Sequence, residues 1–267
     1  MNLQSAVTTC QFSDQDTPHH NHTHLSCELI YVRKGSARFV IHDKTYTVGP
    51  NTLVFINTME EHTVEILERP YERYFFSISS AVLEKQIRNP KLTSIFKNRP
   101  EGFNHVYPVG ENAGETEKIL EEIIEEYGQP ENFSGEMIGC LLEQLLILLY
   151  RQYPTSFPLP DRLVNNEILS IQRHIERHFT ENISISQLAE DHFISSDYLS
   201  HVFKQLTGYS PKQYILLNRL VYARELVLQN EYPINIVAFK SGFNDVNNFI
   251  RSYKKQFGTT PKQNRKD

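Results

Sequence analysis

The chain has 267 residues, a length that favours two domains over one. Hydrophobic residues make up 39% of it and charged residues 22%, which excludes a disordered or fibrous chain and is typical of a folded globular protein. The net charge of −5 argues against nucleic-acid binding by the chain taken as a whole.

No stretch of the sequence has the features of a membrane or export segment. The longest apolar run, around residues 141–150, is interrupted by Glu143, so it is not expected to cross a bilayer. The first residues lack the basic and apolar regions of a signal peptide. The three cysteines show no paired spacing, which fits free thiols in a reducing compartment (Cys10, Cys27 and Cys140). We therefore expect a cytoplasmic protein without membrane association.

Charge is distributed unevenly along the chain. Residues 1–160 have 13 basic and 21 acidic side chains, a net charge of −8, whereas residues 161–267 have 14 and 11, a net charge of +3. This division favours an acidic regulatory half followed by a mildly basic DNA-binding half. Because the basic excess is small, we expect weak non-specific affinity for DNA and a need for dimerisation.

Residues 1–110 contain short apolar runs separated by glycine and proline turns. The runs at 29–32 and 37–41 flank Lys34 and Gly35, and similar runs follow up to residue 109. Short strands at this spacing predict an all-β barrel or a double-sheet roll.

A histidine motif lies near the start of this region. His22, His24 and Glu28 would share one face of a strand, and His62 could join them across a barrel. The motif His22-x-His24-x3-Glu28-x6-Gly35 resembles the first motif of the cupin superfamily. That resemblance implies a cupin-like barrel.

Two uses of this cluster are open. Three imidazoles and a carboxylate suit a divalent metal, and the barrel would then be a metal-dependent cupin enzyme fused to a DNA-binding module. The same side chains could instead be polar wall residues of a metal-free pocket, which we favour, so we expect no cofactor. The candidate metal ligands are His22, His24, Glu28 and His62, and the candidate ligand-binding residues are these four with Tyr31 and Arg38.

Two helices are predicted after the barrel. The stretch 115–127 is amphipathic with an acidic face, whereas 133–153 is apolar over more than one face. The second helix is either buried in its own domain or part of an antiparallel pair that forms a homodimer seam, and we favour the seam. Three prolines within 154–160 predict a semi-rigid extended linker.

The segment from Ile234 to Arg265 has the pattern of a helix-turn-helix. Small Ala238 permits close helix approach, and Gly242 can adopt the positive φ of a sharp turn. An earlier stretch has a similar pattern: Leu188-Ala189-x9-Leu199-x3-Phe203-Lys204-x3-Gly208-x2-Pro211. The second half is therefore predicted to contain two such units.

The later pattern resembles the signature of the AraC family of transcription regulators. The positions are Ala238, Gly242, Phe243, Phe249, Arg251, Tyr253, Lys254, Lys255, Gly258, Pro261 and Arg265. Two positions depart from the pattern. Tyr253 replaces a usual phenylalanine, which we expect to be harmless, and Asn264 replaces a usual tyrosine, which we expect to loosen the last helix. The resemblance implies seven helices over the last 105 residues or so, and many such regulators have a cupin-like sensor domain.

We therefore expect an α+β multidomain protein. Residues 1–110 would form a cupin-like ligand-sensing barrel with an N-terminal arm, and 111–153 would form the helix pair. Residues 154–161 would be the linker, and 162–267 an all-α domain with a double helix-turn-helix. The family implies a ligand-responsive transcription regulator and no enzyme.

The family's DNA-contact positions can be transferred to two recognition helices, each lying in a major groove. They are Asp197, Ser200 and His201 in the first unit and Val246, Asn247, Ile250 and Arg251 in the second. Lys204, Lys254 and Lys255 suit phosphate contacts, although ordinary solvated surface is the alternative for each lysine. The expected partners are promoter DNA, a small-molecule effector such as a sugar, a second copy of the chain and, for an activator, RNA polymerase.

Overall fold

The computed structural model describes residues 5–14, 19–22, 26–41, 44–58, 60–96, 103–157 and 164–265. The chain divides into two units, residues 1–159 and 160–267. His24 and the side chain of His22 lie outside the described residues. Within the described ranges, no helix combines the length and hydropathy that crossing a membrane requires.

The first unit is built on one antiparallel sheet. Its strands are β1 (Val7–Ser13), β2 (His19–His22), β3 (Cys27–Ile41), β4 (Lys44–Val48), β5 (Thr52–Ile56), β6 (His62–Ile78) and β7 (Val106–Pro108). The strand order is β1-β6-β3-β5-β7, with β2 also paired to β6 and β4 to β3. The predicted class, a β-sheet domain followed by an all-helical region, is confirmed.

The two longest strands, β3 and β6, bend together. Residues 27–32 of β3 pair with 73–78 of β6, while residues 36–41 pair with 62–68, and the register shifts between these two segments. Gly35 lies at the bend with a φ of 73°. The bend folds the sheet over on itself, so the start of β3 and the start of β6 lie close together.

Both faces of β3 are buried, because the folded sheet has an inner core and an outer core. Side chains at 30 and 32 join an inner cluster with Phe39, Ile41 and Val64. Side chains at 29 and 31 point the other way and pack against the helices. Period-two alternation therefore holds on each side of the bend.

Helices cover the outer face of the sheet. They are α1 (Ser80–Gln86), α2 (Pro90–Thr93), α3 (Ala113–Gly128) and α4 (Ser134–Gln152). The leucines of α4 are buried in the outer core, and its exposed stripe contains Met137 and Cys140. Burial of an apolar face against the sheet accounts for most of the hydrophobicity that made this helix look two-sided.

The proline-rich segment after α4 differs from the prediction of an extended linker. Pro154–Ser156 forms a 3-10 turn, and Phe157 is buried with its ring centroid 5.5 Å from that of Tyr150. The aromatic contact ties residues 154–157 to the first unit. Residues 158–163 lie outside the described part of the chain.

The described residues of the second unit form seven helices. They are α5 (Val164–His178), α6 (Ile185–Asp191), α7 (Ser196–Thr207), α8 (Pro211–Gln229), α9 (Ile234–Lys240), α10 (Val246–Phe257) and α11 (Pro261–Asn264). The pairs α6–α7 and α9–α10 are the two helix-turn-helix units, with α8 between them in sequence.

Substituting Gly35 tests the importance of the bend. An added Cβ would lie 2.4 Å from the carbonyl oxygen of Glu68 and 2.5 Å from that of Pro70, at a φ that side chains rarely adopt. We expect Gly35→Ala to lower the free energy of unfolding by about 2–4 kcal/mol. Gly49→Ala is the matched control, because no heavy atom lies within 4 Å of its added Cβ. Calorimetric unfolding would measure both, and equal stability of the two variants would contradict the role of the bend.

Candidate effector pocket and nucleic-acid interface

The folded sheet encloses a cavity of about 100 Å³ between β3 and β6. Its lining combines apolar and polar side chains: Glu28, Ile30, Phe39, His62, Val64, Tyr71, Arg73 and Phe75. All four polar residues among them are buried. A mainly apolar cavity with a few convergent polar groups is the usual form of a small-molecule site.

Glu28 and His62 form a buried pair on the cavity wall. Their side chains approach to 3.3 Å, between Oε2 of Glu28 and Nε2 of His62. The other ring nitrogen, Nδ1, lies 2.9 Å from the backbone oxygen of Glu60, which can only accept. Nδ1 can therefore donate to that oxygen, and Nε2 faces the Glu28 carboxyl group.

Tyr71 and Arg73 complete the polar part of the wall. The guanidinium carbon of Arg73 lies 5.0 Å from the centre of the Tyr71 ring. The Tyr71 hydroxyl is buried and makes no hydrogen bond within the described part of the chain. Burial also raises the pKa of Tyr71 to about 12, so the hydroxyl is neutral near pH 7. An unsatisfied buried hydroxyl is costly, and a bound polar ligand would satisfy it.

A second buried network supports the position of His62. The His105 ring lies 2.9 Å from the Tyr46 hydroxyl through Nδ1 and 3.3 Å from a Glu60 carboxylate oxygen through Nε2. The other Glu60 carboxylate oxygen accepts a hydrogen bond of 2.7 Å from the backbone N–H of Asn57. Glu60 therefore links this network to His62, because its own backbone oxygen contacts that ring.

Two predicted ligand-binding residues lie away from this cavity. Tyr31 points into the outer core, where its hydroxyl donates to the Asn51 side chain at 3.0 Å. Arg38 is exposed and pairs with Glu65 at 2.6 Å. The prediction that both point inward is wrong. Tyr31 has the opposite parity to Glu28, and the bend reverses the alternation before residue 38 is reached.

Tyr71 and Arg73 were not predicted, for the same reason. Counting by twos from His62 places residues 72 and 74 inside, whereas 71 and 73 are the inward positions beyond the bend. Gly35 and the charged stretch around residue 68 indicate a turn or bulge. They do not show that the inner face changes phase.

Metal binding at this cluster stays a prediction. Among the described residues there is no group of three or more histidine, cysteine or acidic side chains that could hold a metal ion. Two of the four proposed ligands, His24 and the His22 side chain, lie outside the described residues. Glu28 and His62 are the two candidates that the structure places together.

The two recognition helices, α7 and α10, begin in the same way. Ser195 accepts a hydrogen bond from the backbone N–H of Tyr198, and Asp245 accepts one from that of Asn248. Such caps fix the start of a helix. Because Ser195 caps α7, Asp197 is left exposed in its first turn.

Each recognition helix buries two aromatic or aliphatic side chains four residues apart and exposes polar ones. Leu199 and Phe203 are buried on α7, as are Phe249 and Tyr253 on α10. The exposed predicted contacts are Asp197, His201, Lys204, Asn247, Arg251, Lys254 and Lys255, whereas Ser200, Val246 and Ile250 are half-buried. Val246 and Ile250 pack against the core of the second unit. The buried pair anchors each helix to the core of the second unit, and the polar face of each helix is exposed to solvent.

The last helix is better anchored than its departure from the family pattern indicates. The side-chain amide of Asn264 donates to the Tyr253 hydroxyl at 2.7 Å. Tyr253 itself replaces a usual phenylalanine, so the two departures satisfy each other. The expectation that Asn264 loosens this helix is not supported, because the hydrogen bond joins α11 to α10.

Two family models match the chain. The one described as AraC-like ligand binding domain matches residues 6–146, and the one described as helix-turn-helix domain matches residues 188–267. The chain belongs to the AraC family. It is therefore a transcription regulator that binds DNA and responds to a small-molecule ligand, and the enzyme alternative is set aside because the family consists of regulators.

This AraC-family chain is similar in sequence to a transcriptional activator and in fold to solved structures. The chain is 25% identical to the HTH-type transcriptional activator RhaR of Escherichia coli strain K12, over 97% of this chain and 91% of RhaR. An apo ToxT variant from Vibrio cholerae strain SCE256 matches with a TM-score of 0.67 at 14% identity, over 99% and 98% of the two chains. Wild-type ToxT from the same strain, bound to an unsaturated fatty acid, matches at 0.66 and 15% identity, over 99% and 97%. The ToxT matches establish the fold.

The unsatisfied hydroxyl in the cavity gives a prediction about stability. We expect Tyr71→Phe to leave the free energy of unfolding unchanged or to raise it by up to about 1 kcal/mol, because it removes a buried polar group without a partner. Tyr31→Phe should lower the free energy by about 1 kcal/mol, because it removes a hydrogen-bonded hydroxyl. Thermal or urea unfolding of the ligand-free protein measures both changes. Equal destabilisation by the two substitutions would show that Tyr71 has a partner in solution.

Proposed function

We propose that the chain regulates transcription by placing α7 and α10 in successive major grooves of promoter DNA. The observation that supports this most strongly is the repeated geometry of the two helices, each capped at its start and exposing a polar face. The exposed side chains of Asn247, Arg251 and Lys255 form no hydrogen bond or ion pair within the described residues, so they are available to DNA.

The two helices would contribute differently to specificity. On α10, Arg251 matches the two acceptors of guanine, and Asn247 matches adenine. On α7, His201 and the half-buried Ser200 are the base-contacting candidates, while Asp197 could accept from cytosine. Because Val246 and Ile250 are half-buried, only their outer methyl groups could touch a thymine methyl. The second recognition helix, α10, would therefore supply most of the discrimination between base pairs. Lys204, Lys254 and Lys255 would contact phosphates.

Selection of genomic fragments by the full-length protein, followed by titration, tests this arrangement. We expect Arg251→Ala to weaken binding to a selected promoter by about 1–3 kcal/mol and to relax preference at one base pair. Lys255→Ala should weaken binding to all sequences equally. It should also reduce the slope of log K against log salt concentration by about one. Gln256→Ala, also exposed on α10, is the control and should change neither quantity. An Arg251→Ala protein with unchanged sequence preference would contradict the proposal.

The cavity between β3 and β6 would be the effector site. Its burial and its convergent polar side chains match a small-molecule pocket better than the open groove beside β1, which is lined by Phe12, Arg33, Tyr74, Glu121, Ile124 and Glu125. An effector can change DNA binding only by binding one conformation of the protein better than another. The folded pair β3–β6 is a suitable element to respond, because both strands line the cavity along most of their length.

Dimerisation would use the exposed stripe of α4. Phe133 and Met137 are 65% and 52% exposed, and Cys140 follows on the same face. Large exposed apolar side chains on one helical face are unusual for a monomer and typical of an interface. A second copy would let two DNA-binding halves act together, and RNA polymerase would be the further partner if the regulator is an activator.

The dimer can be tested through its symmetry. In a two-fold interface, a residue near the axis meets its own copy. If the α4 stripe is the seam and Cys140 lies near its axis, Cys140 should form an intermolecular disulfide on mild oxidation. We expect Met137→Glu to shift the protein to a monomer in sedimentation analysis and to abolish that cross-link. Lys118→Gln, on the charged face of α3, should leave both the dimer in sedimentation analysis and the disulfide cross-link unchanged. A Met137→Glu protein that remains a dimer would exclude this stripe as the seam.

A further inference from the structure

We infer that the effector is a small, mainly apolar molecule with one hydrogen-bonding group, and that this group pairs with the hydroxyl of Tyr71. The inference rests on the proposed function, in which the cavity between β3 and β6 is the effector site, and it adds the chemical class of the effector. It follows from the volume of the cavity, from its apolar wall and from the one buried hydroxyl of its lining that has no partner among the described residues.

The volume of the cavity limits the size of the ligand. The cavity measures about 100 Å³. A cavity of about 150 Å³ holds one benzene molecule, so roughly four to seven non-hydrogen atoms can be accommodated here with modest expansion. A hexose has about twice that number and would require the closely packed strands to separate. The sugar expected from the family is therefore a poor fit.

Apolar side chains form half of the cavity wall. Ile30, Phe39 and Val64 are buried members of the inner core, and the half-buried ring of Phe75 packs against the same cluster. Moving a hydrocarbon chain or ring from water into such a wall is favourable in proportion to the apolar surface that it buries. The wall therefore suits a ligand whose body is apolar.

The polar side chains of the lining differ in whether they already have a partner. Glu28 and His62 approach each other to 3.3 Å, and both of them, like Arg73, make further interactions in the structure. The Tyr71 side chain is 1% exposed, and its hydroxyl makes no hydrogen bond within the described part of the chain. Tyr71 is therefore the residue whose hydrogen-bonding group a ligand can engage without displacing an existing contact.

The Tyr71 hydroxyl determines what the ligand must offer. A phenolic hydroxyl both donates and accepts, so it can pair with a hydroxyl, a carbonyl or an amine of the ligand. A buried hydroxyl without a partner costs free energy, and one ligand group is enough to satisfy it. The several hydroxyls of a sugar would instead have to compete with the interactions that Glu28, His62 and Arg73 already make. The polar part of the lining thus selects a molecule with a single polar group.

Phenol and toluene form a matched pair of probes for this inference. They have the same number of non-hydrogen atoms and differ in a hydroxyl against a methyl group, while D-glucose tests the size limit. Isothermal titration would give Kd for each compound with full-length wild type, Tyr71→Phe, Tyr31→Phe and Val64→Phe. Tyr31→Phe removes a hydroxyl outside the cavity, and Val64→Phe fills the cavity. Thermal unfolding without ligand would establish that each variant is folded.

We expect phenol to bind the wild type. The preference for phenol over toluene, measured as the ratio of their Kd values, should fall about fivefold or more in Tyr71→Phe and stay unchanged in Tyr31→Phe, because only Tyr71 pairs with the ligand hydroxyl. Val64→Phe should abolish the binding of both compounds. If Val64→Phe does not fold, the ratio in Tyr71→Phe still decides the inference.

The remaining outcomes separate failure of the inference from failure of the effector site. An unchanged ratio in Tyr71→Phe, with both compounds lost in Val64→Phe, would overturn the inference and leave the cavity as the effector site. Binding of glucose that is lost in Val64→Phe would do the same. Phenol binding that persists in folded Val64→Phe would overturn the inference and the effector site together. A wild type that does not bind phenol would overturn the proposed class.

Discussion

The bend shared by β3 and β6 is the constraint on which the sensor unit depends. At Gly35 the backbone passes so close to the carbonyl groups of Glu68 and Pro70 that no Cβ fits. The bend folds the hairpin over, closes the inner core and brings Glu28 within 3.3 Å of His62, although they are 34 positions apart in the sequence. It also reverses which residues of each strand face inward. The cavity and its polar lining are consequences of this one local geometry.

The sequence was informative where chemistry is local. On α7 and α10, residue types within a few positions determine the helix caps, the turns and the spacing of the buried side chains. The family pattern supports the same assignment. The meeting of Glu28 and His62 agrees with the sequence prediction that His62 could join Glu28 across the barrel. The positions of Arg38, Tyr71 and Arg73 could not be foreseen. They depend on a phase reversal at the bend, which leaves no signal in the alternation itself.

A similar lesson comes from residues whose partners are distant in sequence. Asn264 looks unfavourable alone, yet it donates to the hydroxyl of Tyr253, the other departure from the family pattern. The leucines of α4 looked like an interface because the sheet that covers them could not be seen in the sequence. In both cases the physical role depends on a tertiary contact. On α4, only the side chains that stay exposed, such as Met137, are available for other partners.

The central claim is that occupancy of the cavity changes the affinity of α7 and α10 for promoter DNA. The most direct measurement is the Kd for a selected promoter fragment, by fluorescence anisotropy at fixed salt, with and without a saturating small molecule that raises Tm of the purified protein, in wild type and Arg73→Met. The account predicts a change of about fivefold or more in the wild type, within the usual range of coupling between two sites, and little change in Arg73→Met. Equal Kd values with and without a bound effector in the wild type would contradict it.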